Sequence, residues 1–119
     1  MDFRDSESEA RFRAEARAFL AEHAPTDLGD PFDDNTNMGP LNNEPTAAKM
    51  DRHVADAVER GATLLAGGKR AEGFPTDLYY EFTVLDRVPE ESMVSQEESF
   101  GPVLPILNAK DDEDAVAIA

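Results

Sequence analysis

The stretch Gln96-Glu97-Glu98-Ser99-Phe100-Gly101-Pro102-Val103 places two carboxylates, an aromatic ring and a Gly-Pro step within eight residues. A carboxylate can accept two hydrogen bonds from vicinal hydroxyls, such as those of a ribose. A neighbouring aromatic ring can border a planar heterocycle. The Gly-Pro step sets the direction in which the chain enters the following element. Adjacent carboxylates are common in a chain with 26 Asp and Glu. The ring and the Gly-Pro step are what set Glu97-Glu98 apart.

Other constellations carry less. Asp33, Asn35, Asn37 and Glu44 stand at positions 1, 3, 5 and 12 of a calcium-binding EF-hand loop. Position 6, which needs glycine, holds Met38, and Pro40 interrupts the loop. The segment therefore reads as an Asx-rich turn, with no metal site expected. His23 and His53 are the two histidines. His53 is expected on the exposed side of its helix, and His23 in a last helical turn, where a cation is favourable. Neither has a second ligand at metal spacing. The serines form no G-x-S-x-G elbow, and Gly67-Gly68 stands alone without a G-x-G-x-x-G. No cysteine is present, which removes a thiolate nucleophile and thiolate metal ligands. No residue is assigned a catalytic role.

These residues need elements to position them. Ser6 and Glu9 have capping-box spacing, and Phe12, Ala16, Phe19 and Leu20 follow as one apolar stripe. Residues 1–29 are thus expected to be an amphipathic helix with a linker, the helix packing on something larger. In residues 30–119, Pro45 suits a helix start with Asn42 or Asn43 as cap. Ala47, Met50, Val54, Ala57 and Val58 carry the helical spacing, and Gly61 ends it. Strands are expected over Thr63–Ala66, Tyr79–Leu85 and Val103–Leu107, with a helical turn over Ser92–Glu97. Asp111, Asp112, Glu113 and Asp114 open a last helix. The fold class is α/β, an incomplete layer of about three strands with two to three helices behind the amphipathic helix. Such a sheet leaves edges for a second copy or a partner protein to cover.

Composition narrows the partners. With 11 Lys and Arg, the net charge is −15, which disfavours nucleic acid and anionic membranes. No apolar run approaches the roughly 20 residues of a membrane span. The acidic MDFRDSESEA start is not a signal peptide, so a cytoplasmic location is expected.

Residues 30–119 resemble part of the catalytic domain of the NAD(P)-dependent aldehyde dehydrogenases. The matching segments are GDPFDDNTNMGPLNNEPTAAKMDRHVADAVERGATLLAGGKR and YYEFTVLDRVPEESMVSQEESFGPVLPIL. Their G-D-P…M-G-P-L opening, A-V-x-x-G-A helix end, A-G-G stop and E-E-x-F-G-P loop occur together at family spacing. One departure is Phe82, where the family usually has proline. The resemblance implies that Glu98 holds the hydroxyls of the nicotinamide ribose and that Phe100 borders the nicotinamide. It also implies that the nucleophilic cysteine, the oxyanion-hole asparagine, the general-base glutamate and the dinucleotide-binding domain belong upstream of this segment. An oligomerisation strand belongs after it. NAD(P) is therefore the cofactor of the family, with none expected for these 119 residues alone. Residues 1–24 resemble the amino-terminal helix of acyl-CoA dehydrogenases, as in a fusion joined near Thr26–Asp30. The implied function is a non-catalytic aldehyde dehydrogenase fragment. The alternatives are a nucleotide-binding or regulatory module, and part of an active oxidoreductase whose cysteine another chain supplies.

Overall fold

The computed structural model describes residues 6–23 and 27–119. Its elements are α1 (Glu7–His23), α2 (Glu44–Glu59), β1 (Thr63–Ala66), β2 (Thr83–Asp86), α3 (Met93–Gln96), β3 (Val103–Pro105) and α4 (Asp112–Ile118). The sheet runs β1-β2-β3, antiparallel between the first pair and parallel between the second. The α/β class expected from the sequence is the one observed.

The helix starts follow their caps. Ser6 donates its amide to Glu9 Oε2 at 2.7 Å, and the Glu9 amide reaches Ser6 Oγ at 3.4 Å, closing the capping box. Asn43 caps α2 by accepting the Thr46 amide at 3.0 Å, with Pro45 in the first turn. Asp111 does the same for α4 through the Asp114 amide at 2.9 Å. Helix α2 lays Ala47, Met50, Val54 and Ala57 against Leu85 and Val103 of the sheet and Val94 of α3. Val58, expected on that stripe, is exposed.

Two strands are shorter than expected. Tyr79–Leu85 is not one strand: Tyr80 makes an isolated bridge to Arg70, and the ladder begins only at Thr83. The Thr83 hydroxyl explains the break, because it accepts the Gly68 amide at 2.8 Å and donates to the Glu81 carbonyl at 2.8 Å. The third strand stops at Pro105 rather than Leu107. The Ile106 amide still bonds the Leu85 carbonyl at 2.8 Å and the Val88 amide bonds the Ile106 carbonyl at 3.0 Å, but Arg87, at φ +54°, interrupts the regular register between these two bonds. All four residues of β2 are buried, as suits a central strand, whereas β1 is largely exposed.

The apolar stripe of α1 is not covered as expected. Phe12 is 72% exposed and Phe19 60%. The helix is instead tied down by charge. Arg13 bonds Asp86 Oδ1 and, at 2.9 Å, Asn108 Oδ1, while Arg17 reaches Asp86 Oδ2 at 3.3 Å. The chain exposes 8035 Å², where a compact protein of this mass exposes about 6,300 Å².

Asp86 yields a pH prediction. Burial pushes its carboxyl up, but hydrogen bonds from Arg13 and the Arg87 amide and the nearby guanidinium charges prevail, and it lies below the ordinary 3.8. A carboxyl depressed by folding stabilises above its unfolded value and loses that contribution as pH falls through its folded value. The melting temperature is therefore expected to hold, as far as Asp86 is concerned, from pH 7 to about 4, and to drop below that. Asp86→Asn should flatten this acid limb in a series of thermal melts. An unchanged limb in the variant would remove Asp86 as its source.

Candidate functional site

The loop from Glu97 to Pro102 links α3 to β3, and α2 holds it from beneath. Asp56 of α2 accepts the Met93 amide at 2.7 Å, fixing the start of α3. That bond, with the Arg60 guanidinium, holds the Asp56 carboxyl below its ordinary value. One turn earlier, His53 is fully buried, with Nε2 3.3 Å from Glu97 Oε2 and Nδ1 without a partner among the described residues. One further turn back, the Lys49 ammonium donates to the Glu98 carbonyl and stands 3.7 Å from Glu97 Oε2. It also lies 5.9 Å from the centre of the Phe100 ring, within cation–π range. Met50 supports the far end: a Cβ placed on Gly101 would stand 2.5 Å from Met50 Sδ, so a larger residue there would have to displace the Met50 side chain.

The outcome is an ordered loop with two outward-facing groups. Glu98 is exposed, and only its carbonyl is engaged among the described residues. Its carboxylate keeps its acceptor positions for a ligand. Phe100 is 73% exposed and sits at φ +54°. A bulky side chain in the left-handed region costs about 1–2 kcal/mol and persists where surrounding contacts impose it. Here the contacts at Lys49 and Gly101 flank it. Glu98 and Phe100, singled out from sequence, therefore lie on one loop with both residues exposed.

Three other expectations meet the structure. His53 is not exposed. It stands at i+3 from Met50, so Met50, His53, Val54 and Ala57 form one buried stripe. That spacing was readable, as was the i, i+4 relation of Lys49 to His53. What the chain does not announce is that both face a loop more than forty residues away. His23 is in the last turn of α1 as expected, its ring bonded to the Phe19 carbonyl at 3.0 Å and stacked on Phe19. The EF-hand-like residues disperse: Asn35 bonds Asp33, Asn37 bonds Asp27, and Glu44 accepts Arg70 at 2.7 and 2.8 Å. Among the described residues no group of His, Asp and Glu is placed to hold a metal ion, and no helix is long and apolar enough to cross a membrane.

The residues present fit one part of a dinucleotide. A ribose needs a free carboxylate, which Glu98 offers, and a planar ring needs an exposed apolar face, which Phe100 offers. Nothing in the loop addresses a pyrophosphate or a second heterocycle.

Known proteins are similar to this chain in sequence and in fold. The aldehyde dehydrogenase family matches residues 9–119. The mitochondrial succinate-semialdehyde dehydrogenase of Rattus norvegicus is 41% identical over 92 residues, covering 77% of this chain and 17% of that protein. The solved structure of a 3,6-anhydro-L-galactose dehydrogenase in complex with NAP superposes with a TM-score of 0.81 at 37% identity, over 92% of this chain and 24% of the other. An aldehyde dehydrogenase of Mycobacterium tuberculosis complexed with NAD+ gives a TM-score of 0.79 at 33% identity, over 92% and 23%. The chain spans about a fifth of the length of these relatives.

Proposed function

The chain belongs to the aldehyde dehydrogenase family, and from that premise we propose that its 119 residues form the segment that presents a ribose-binding loop without themselves oxidising aldehydes. The observation that carries this reading is the loop of Glu98 and Phe100, held in place by Lys49, Met50 and His53. In it Glu98 would accept the ribose hydroxyls of NAD(P) and Phe100 would flank the nicotinamide, whose chemistry is to accept a hydride. The residues that would generate that hydride need a thiolate, and no cysteine is in the sequence. One carboxylate and one ring also leave most of the dinucleotide unheld, so affinity from this loop alone is weak.

The exposed faces support a role in association. Phe12, Phe19, Phe100, Leu104 and Val116 are large apolar side chains left in solvent, and among the described residues β1 and β3 each pair on one side only. A second copy or a partner protein that covers them completes this reading. Two origins for α1 compete within it. The acyl-CoA-dehydrogenase-like sequence of residues 1–24 argues for a fusion joined near Thr26–Asp30. The family match from residue 9 and the Arg13 and Arg17 bonds to Asp86 argue that α1 is native to the module.

An amide nitrogen–proton correlation spectrum with and without NAD tests the proposal. Shifts confined to Glu98–Gly101 that do not saturate below about 1 mM are expected, for a contact worth less than about 4 kcal/mol. No reduced nicotinamide should form when an aldehyde is added. Saturation at micromolar NAD would favour the nucleotide-binding or regulatory module instead. Steady NAD-dependent oxidation of an aldehyde by the purified chain would overturn the non-catalytic reading.

A further inference from the structure

A groove of about 570 Å³ separates α1 from the sheet and the segment that follows β3. Ligand pockets for small molecules run from roughly 300 to 1,000 Å³. One wall is apolar through Phe12 and Leu20, the other through Leu65 and Leu107. The charges in its lining are out of character with the rest of the chain. Arg13, Arg17 and Lys110 face Glu9 and Asp86, in a protein whose acids otherwise outnumber its bases 26 to 11. Glu9, moreover, is turned back to cap α1 through Ser6.

We propose that this groove binds an aliphatic monocarboxylate, its head on Arg17 and its tail along the apolar walls. Arg17 is suited to the head. Its one hydrogen bond among the described residues is the 3.3 Å contact to Asp86 Oδ2, and a guanidinium has five donors. Arg17 can keep its bond to Asp86 Oδ2 through one amino group and turn its other donors to a ligand, while Arg13 and the Arg87 amide, at 2.9 Å, hold Asp86 Oδ1. The ammonium of Lys110 forms no ion pair among the described residues and lines the same groove. The lining has one cation in excess, so one negative charge on the ligand balances it. A dianion would not be matched, and a neutral lipid would leave the surplus unused. The remaining wall is apolar and asks for a hydrocarbon tail. The proposal does not depend on the 97–101 loop, which lies outside the groove.

Titration of the labelled chain with decanoate, and in parallel with decanol, tests the assignment. Decanoate is expected to shift amides on both walls, in residues 12–20 and 106–110, and to bind about tenfold more tightly than decanol, the scale of a charge-assisted pair. Arg17→Gln should weaken decanoate by about tenfold while leaving its affinity for decanol unchanged. Lys110→Gln, at an exposed position, should weaken decanoate about threefold without altering the fold. Equal affinity for the two ligands would overturn the proposal, as would shifts confined to residues 97–101. Shifts on both walls that appear with protein concentration alone would assign the groove to a second copy and overturn it as well.

Discussion

Met50→Ala is expected to destabilise the chain by about 3–4 kcal/mol, within the usual range for a fully buried methionine. Met50 has no exposed surface and lies at the centre of the α2 stripe. Its sulfur fills the space beneath Gly101, where a Cβ would come within 2.5 Å of it. The backbone there closes over the side chain, so little can collapse into the void. A chain of this size has a total stability of roughly 6–18 kcal/mol, and the loss is a large part of it. The melting temperature should fall by roughly 12 °C or more. The effect has a local signature as well. Amides of residues 97–101 should broaden or shift more than those of β1, because the candidate loop rests on this side chain. A loss under about 1 kcal/mol would mean that the loop follows the cavity inward and is not propped by Met50.

Gly67→Ala is the second large effect. Gly67 ends β1 at φ +64°, a conformation that costs an alanine about 1 kcal/mol. The greater cost is the neighbour. An added Cβ would stand 2.3 Å from the Phe82 carbonyl oxygen and 2.8 Å from its carbon, both backbone atoms entering β2. A flexible side-chain end could swing aside, but a strand cannot do so without breaking the β1–β2 ladder. The total is expected to exceed about 3 kcal/mol. Gly73→Ala provides the comparison, since it also has positive φ but nothing within 4 Å of its Cβ. Chemical unfolding of both variants separates conformational strain from contact. Equal losses would show that the β1–β2 junction yields and that the clash is relieved.

Much of the fold was legible because its signals are local. The Ser6–Glu9 box, the Asn43 cap with Pro45 and the Gly61 stop are decided by residues within one turn of each other. Strand β2 was legible from its β-branched and aromatic content. The failures lie where a distant partner decides. His53 looked like a solvent-facing polar residue, yet its place on the Met50 stripe and the Glu97 carboxylate brought it inside. The α1 stripe suggested an apolar dock, whereas Arg13 and Arg17 pin the helix through Asp86, 73 and 69 residues along the chain. Thr83 cut short a strand that propensity alone would have extended. For the candidate site, residue types pointed to Glu98 and Phe100. Nothing in the local sequence demanded a positive φ at Phe100, because Lys49 and Met50 reach the loop from another element.

The anchoring of α1 on Asp86 determines the order in which the molecule comes apart. The bonds from Arg13 and Arg17 close the longest loops described here, while α2, α3 and the sheet join neighbours nearer in sequence. Closing a long loop costs chain entropy, and here the return is a few polar bonds rather than a buried apolar face. Helix α1 is thus a separate cooperative unit, opening at a lower free energy than the sheet it sits on. In the acid titration of Asp86, its amides should exchange with solvent deuterium before those of β2 do. Exchange of both together would mean that the helix and the sheet are a single unit.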